Sequence, residues 1–111
     1  MRVRENDGFE LEVVFVIDTG FNSFVTLPRA LILQVGLLPT GYSQAKSDDE
    51  QQVQLPVFEA VVEWDGNPKA VVVLQVEGSP LLGMALLAGF NLNLDVVEGG
   101  SVTIRPIRRG V

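Results

Sequence analysis

Eighteen of the chain's 111 residues are Val, and they fall in short runs broken by Gly, Pro and Asn. A β-branched side chain is restricted at χ1 in a helix but packs well on a pleated surface. The distribution therefore argues for strands, and for a mainly β domain. The length is that of one domain covering residues 1–111, enough to bury roughly two-thirds of its unfolded surface in a single core.

Along the chain, Glu10 to Ile17 opens as alternating charge and hydrophobe and is continuously apolar from Val13 onward. That is the pattern of a strand running from an edge into the interior. It stops at Asp18-Thr19-Gly20. Thr26-Leu27-Pro28 offers a cap residue with Pro close behind, so Arg29 to Val35 is expected as a short helix ending at Gly36. Gly41 to Gln52 is polar and too long for a tight turn, and is expected as a lid-like loop. Val53 to Trp64 reads as a strand, Asp65-Gly66-Asn67-Pro68 as a turn, and Lys69 to Val76 as the antiparallel return. After Gly78-Ser79-Pro80 comes a buried run, Leu81-Leu82-Gly83, and then a helical Met84 to Ala88 that stops at Gly89. Asn91, Asn93 and Asp95 alternate with Leu92, Leu94 and Val96, a half-buried strand. Glu98-Gly99-Gly100-Ser101 turns it back into Val102 to Ile104, leaving Arg105 to Val111 as a frayed basic tail. A weak internal echo runs through this order: apolar strand, Gly-containing loop and short helix occur around Asp18 to Val35 and again around Val72 to Ala88. Only the first copy carries an acid.

The composition removes most chemistries. There is no Cys and no His, which excludes disulfides, thiolate and imidazole metal sites, Cys nucleophiles and every triad with an imidazole base. Carboxylates, hydroxyls, two Lys and one Tyr are left to move protons. Eight basic residues against fourteen acidic ones give a net charge of −6 with no basic run, so neither nucleic acid nor an anionic membrane is an expected partner. Met1 to Gly8 is charged and the longest apolar runs are far too short to span a bilayer, so no signal peptide is expected and the expected location is cytoplasmic.

Asp18 is the leading catalytic candidate, because five hydrophobes before it deliver a carboxylate to the end of a buried strand. Thr19 adds a hydroxyl, and Gly20 lets backbone approach closely and present N–H donors. The alternative is an Asp-Gly hairpin turn with no chemistry.

Val14-Phe15-Val16-Ile17 followed by Asp18-Thr19-Gly20-Phe21, with Leu81-Leu82-Gly83 about sixty residues further on, resembles the retropepsin-like aspartic proteases (clan AA). The resemblance is nearest to a prokaryotic single-domain group with an Asp-Thr-Gly-Phe motif, and it covers nearly the whole chain. The hydrophobic-hydrophobic-Gly element is the family's second signature and falls where the echo places it. The resemblance implies an all-β fold, a closed β-barrel of the acid protease type with one or two short helices. It also implies an aspartic endopeptidase that cleaves peptide or protein substrates without metal or other cofactor. This route needs two carboxylates sharing one proton, and the chain has one suitable Asp. The family's solution is a homodimer with Asp18 of each subunit at the two-fold axis. Thr19 and Gly20 then support the paired loops, and Gly20, Phe21, Asn22 and Leu82, with Ser47 and Asp48 of a flap over Ala45 to Gln52, contact substrate.

Two departures bear on that expectation. Retroviral members pair an acid four residues after the catalytic Asp with an Arg after the second Gly; here those places hold Asn22 and Met84, so no charge is stranded. The flap lacks Gly, and Ser47-Asp48-Asp49-Glu50 would disfavour acidic peptides. An inactive dimerisation or peptide-binding module of the same fold therefore stays open beside the peptidase, as does an unrelated β-barrel with a chance turn at Asp18. Asp48, Asp49 and Glu50 lack the spacing of a calcium loop, Gly99-Gly100 reads as a turn, and Trp64 and Tyr42 read as packing residues. Leu31-Ile32-Leu33 and Gly36-Leu37-Leu38 read as core or interface.

Overall fold

The computed structural model describes residues 1–6, 8–46 and 51–108. In chain order these form β1 (Arg2–Arg4), β2 (Glu10–Glu12), β3 (Val16–Ile17), β4 (Val25–Leu27), α1 (Arg29–Val35), β5 (Pro39–Lys46), β6 (Gln52–Trp64), β7 (Asn67–Gln75), β8 (Leu81–Leu82), α2 (Met84–Leu87), β9 (Phe90–Leu94) and β10 (Val102–Pro106). The domain is mostly β with two short helices, as the Val-rich runs predict.

The main sheet runs β2-β1-β6-β7-β4-β8-β3, with β5 added to β6, and β9 and β10 make a separate two-stranded sheet. Thirteen residues long, β6 pairs along one edge first with β5 and then with β1, and along the other with β7. β2 and β3 end the path on opposite sides, yet only Val13, Val14 and Phe15 separate them in the chain. Three residues reach about 10 Å, so the sheet has to curl until its two edges are near neighbours. Among the described residues no ladder joins those edges, and the closed barrel expected from the sequence is instead an open, curled sheet.

The reason lies in the segment expected as one strand, Glu10 to Ile17. Val13 is buried and its N–H reaches back to the Met1 carbonyl at 3.0 Å, whereas Val14 is 85% exposed. The chain crosses there from one edge of the sheet to the other, which an unbroken apolar run does not reveal. β1 was also hidden: its one hydrophobe, Val3, is fully buried between β2 and β6, while Arg2 and Arg4 lie 3.8 Å from Glu10 in exposed pairs of small energetic worth.

α1 has the expected bounds. Pro28 occupies its N-cap position and no side chain caps it, so Thr26 does not play the capping part expected of it. The helix ends where Gly36 adopts φ 83° and donates its N–H to Ile32 O at 2.9 Å, a conformation that costs Gly nothing. The β6–β7 turn is only two residues, Asp65 and Gly66, at φ 53° and 77°. Asn67 and Pro68, expected within the turn, already belong to β7. Pro68 is one step from the closing pair Trp64–Asn67, with its nitrogen directed away from β6, so no ladder bond is lost.

Phe58, Ala60 and Val62 of β6 and Val71 and Val73 of β7 alternate into the core, joined by Val25, Leu27, Ile32, Leu82, Leu86 and Leu87. The polar stretch expected as a loop is largely β5, paired residue for residue from Gly41↔Val57 to Lys46↔Gln52. The expected frayed tail is strand as far as Pro106, and Ile107 N–H still donates to Gly89 O at 2.9 Å.

The internal echo takes spatial form. β3 lies parallel to β8 and β4 parallel to β7, with β4 antiparallel to β8 between them. The first strand of each copy thus pairs with the second strand of the other. Each second strand passes through a single residue, Pro28 or Gly83, into its short helix.

Candidate active site

Asp18 follows β3 directly, and β3 is held from the side by β8. Val16 N–H donates to Pro80 O at 2.8 Å, and Asp18 N–H donates to Leu82 O at 2.9 Å. The first signature is therefore bonded to the second at the position of the acid itself. Beyond Asp18 the chain doubles back: Phe21 N–H donates to Asp18 O at 3.1 Å, and Gly20 N–H donates to the Asp18 carboxylate Oδ1 at 2.9 Å. A Cβ on Gly20 would lie 3.3 Å from that same oxygen, so the glycine lets the loop close on its carboxylate without crowding it. Asp18 is half-buried, and Thr19, Gly20 and Asn22 are exposed.

The second signature closes the loop from the other side. Gly83 N–H donates to Phe24 O at 2.8 Å, Met84 N–H to Phe21 O at 2.8 Å, and Ala85 N–H to Ser23 O at 3.2 Å. These donors are the opening N–H groups of α2, which has no side-chain cap, so the Asp18 loop supplies their acceptors. Any side chain at Gly83 would run into the Ser23 and Phe21 carbonyls. Met84 and Asn22 sit in this region without a charge between them.

Thr26 is the residue that sequence reading misplaced. It is 2% exposed in β4, and its hydroxyl oxygen accepts the Leu81 N–H at 2.9 Å, fixing β8 where the register of β4 and β8 leaves that donor free. A lone hydroxyl between Val25 and Leu27 in an apolar run was the available signal.

The proposed substrate contacts divide. Gly20, Phe21 and Asn22 share the Asp18 loop, with Phe21 half-buried. Leu82 is 4% exposed and its side chain joins the core, so its part in the site is played by its carbonyl. The flap expected over Ala45 to Gln52 has a hairpin stem, Ala45↔Val53 and Lys46↔Gln52, while Ser47 and Asp48 lie outside the described residues. Beside the Asp18 loop is a cleft of about 530 Å³ lined by Phe15, Ile17, Thr19, Leu94 and Val102, which brings β9 and β10 to the site, something the sequence did not signal.

Chemically, the arrangement presents one accessible carboxylate on a loop held by backbone bonds on both sides. Among the described residues no three His, Cys, Asp or Glu side chains gather into a metal-binding group. No helix among them is long and apolar enough to cross a membrane. Compared with known proteins, the chain matches no family model, and no curated protein and no solved structure is significantly similar to it.

Proposed function

We propose that the protein is an aspartic endopeptidase of the retropepsin type, active as a homodimer with one Asp18 contributed by each subunit. The observation that carries this reading is the bonding between the two signatures: Asp18 N–H donates to Leu82 O, and Phe21 O and Phe24 O accept from the N–H groups of Met84 and Gly83. Two motifs 63 residues apart in sequence build one hydrogen-bonded loop around one carboxylate. On this reading the curled sheet is an acid-protease barrel left open between β2 and β3.

Two carboxylates brought together at a two-fold axis cannot both ionise, so the pair holds one proton. The ionised carboxylate takes a proton from water as the water oxygen attacks the scissile carbonyl carbon. Meanwhile the neutral carboxyl gives its proton to the carbonyl oxygen. Collapse of the tetrahedral adduct moves a proton to the amide nitrogen, the C–N bond breaks, and acid and amine leave. Thr19 and Gly20 keep the loops in place, and the β5–β6 hairpin acts as the flap.

The alternative is an inactive dimerisation or peptide-binding module of the same fold, favoured by the absence of Gly from Ser47-Asp48-Asp49-Glu50. Digestion of a peptide library from acidic to neutral pH separates the two. The peptidase reading predicts cleavage that falls by at least about 10²-fold in Asp18→Asn. Equal cleavage by both forms, or none by either, overturns it.

A further inference from the structure

We infer that the groove between α1 and the base of the β5–β6 hairpin is a binding site for a medium-chain alkyl carboxylate, with the hydrocarbon chain along the groove floor and the carboxylate on Arg29. The site is separate from the Asp18 loop and does not depend on the peptidase reading.

The groove encloses about 310 Å³, and its floor is core: Ile32, Leu37 and Phe58 line it and are all buried. Its rim is apolar as well, but open to water. Leu33 on α1 is 64% exposed and Tyr42 on β5 is 72% exposed. Large hydrophobics left in water on both sides of a channel that reaches the core form a contiguous apolar patch, and concave patches of that kind hold ligands. The hairpin wall includes Pro39 and Pro56. Neither can donate a backbone N–H, which favours a hydrocarbon chain over a peptide backbone as the occupant.

One end of the groove is charged. Leu27 pairs with Gln75 where β4 runs beside β7, and two residues later the chain enters α1 at Arg29, so Gln75 and Arg29 line the groove at the same end. Among the described residues the ion pairs involve Met1, Arg2 and Arg4, and the Arg29 guanidinium has no acidic partner. The Glu77 carboxylate accepts the Arg29 backbone N–H at 2.8 Å instead. An unpaired guanidinium is conspicuous in a chain of net charge −6. At the mouth of an apolar groove it matches an anionic head on a hydrocarbon chain, because its planar fork of donors fits a carboxylate. Size sets the length of that chain. At roughly 30 Å³ per non-hydrogen atom, the share of a water molecule in the liquid, 310 Å³ takes about ten such atoms, the number in octanoate. One wall of the groove is the hairpin that acts as the flap on the proposed reading, so an occupant ties the base of that hairpin to α1.

Amide chemical shifts of the isotope-labelled protein, followed during titration with hexanoate, octanoate and decanoate below their micelle concentrations, test the site. Saturable shifts centred on Leu33, Tyr42 and Gln75 are expected. Octanoate is expected to bind about 15-fold more tightly than hexanoate for its two extra methylenes, and decanoate to gain much less because its chain outruns the groove. Arg29→Gln is expected to weaken octanoate about 5-fold, the worth of an exposed ion pair, and to leave the binding of 1-octanol unchanged. Leu33→Glu, at an exposed position of α1, puts an acid on the rim and is expected to weaken octanoate more than 1-octanol. Four results overturn the site: no saturable shift, an affinity that ignores chain length, octanoate bound equally by wild type and Arg29→Gln, or shifts centred on Thr19, Leu94 and Val102 in the cleft beside Asp18. Every readout is binding, so loss of this site leaves the peptidase reading standing, and an absence of cleavage leaves the site standing.

Discussion

Replacing Gly83 by Ala adds one methyl group where the two signatures touch. The new Cβ would lie 2.7 Å from Phe21 O and closer still to Ser23 O. Neither oxygen can yield cheaply, because Phe21 O accepts the Met84 N–H at 2.8 Å and Ser23 O accepts the Ala85 N–H at 3.2 Å. Overpacking of this kind costs about 1–3 kcal/mol. Backing the loop away to relieve it weakens those two bonds and the 2.8 Å bond from Gly83 N–H to Phe24 O, each worth about 1 kcal/mol. The two costs are alternatives to one another, so the net loss is the smaller of them, about 1–3 kcal/mol. In a domain near this size that lowers Tm by about 4–20 °C. Thermal unfolding followed by circular dichroism, at one fixed protein concentration because association raises Tm, measures it. Gly89→Ala is the control: Gly89 has φ 86° but open space where its Cβ would be, so only the conformational cost of about 1 kcal/mol applies. A Gly83→Ala protein melting within about 4 °C of wild type would refute the idea that backbone contact between the signatures holds the loop.

Thr26→Val keeps shape but strands the Leu81 N–H that the hydroxyl accepts at 2.9 Å, and is expected to cost about 1–3 kcal/mol in urea unfolding, while Thr26→Ser costs less than Thr26→Val. Equal stability of Val and Ser variants would show that the bond does not hold β8. Asp65 has φ 53° in the two-residue turn, so Asp65→Val is expected to lose about 1–2 kcal/mol and Asp65→Asn almost none, again by urea midpoint.

Local punctuation explains what could be read in advance. Pro28 and Gly36 bracket α1 and fix its phase with no help from the rest of the chain, and Asp65-Gly66 does the same for the β6–β7 turn. Elements defined by distant partners were misread. β1 consists of one Val between two Arg, a strand only because β2 and β6 lie on either side. β5 is exposed along most of its length, so neither face shows a period, and its pairing with β6 is what makes it strand. The break at Val13 to Phe15 is invisible in an apolar run because hydrophobicity cannot say which edge of a sheet a residue joins. The site divides along the same line. Asp18, Gly20 and Gly83 carry local signatures, whereas the role of Thr26 and the approach of Leu94 and Val102 to Thr19 depend on strands far away in sequence.

On the proposed reading one chain holds half of a catalytic site. The most direct test of that reading is a subunit titration: wild-type and Asp18→Asn chains are unfolded together, refolded in varying ratio at constant total concentration, and assayed on a peptide cleaved by the wild type. Shared dyads predict activity that follows the square of the wild-type fraction, about one-quarter of full activity at equal mixing. A linear fall, to about half at equal mixing, would mean that each chain works alone, contradicting a site completed by two copies of Asp18.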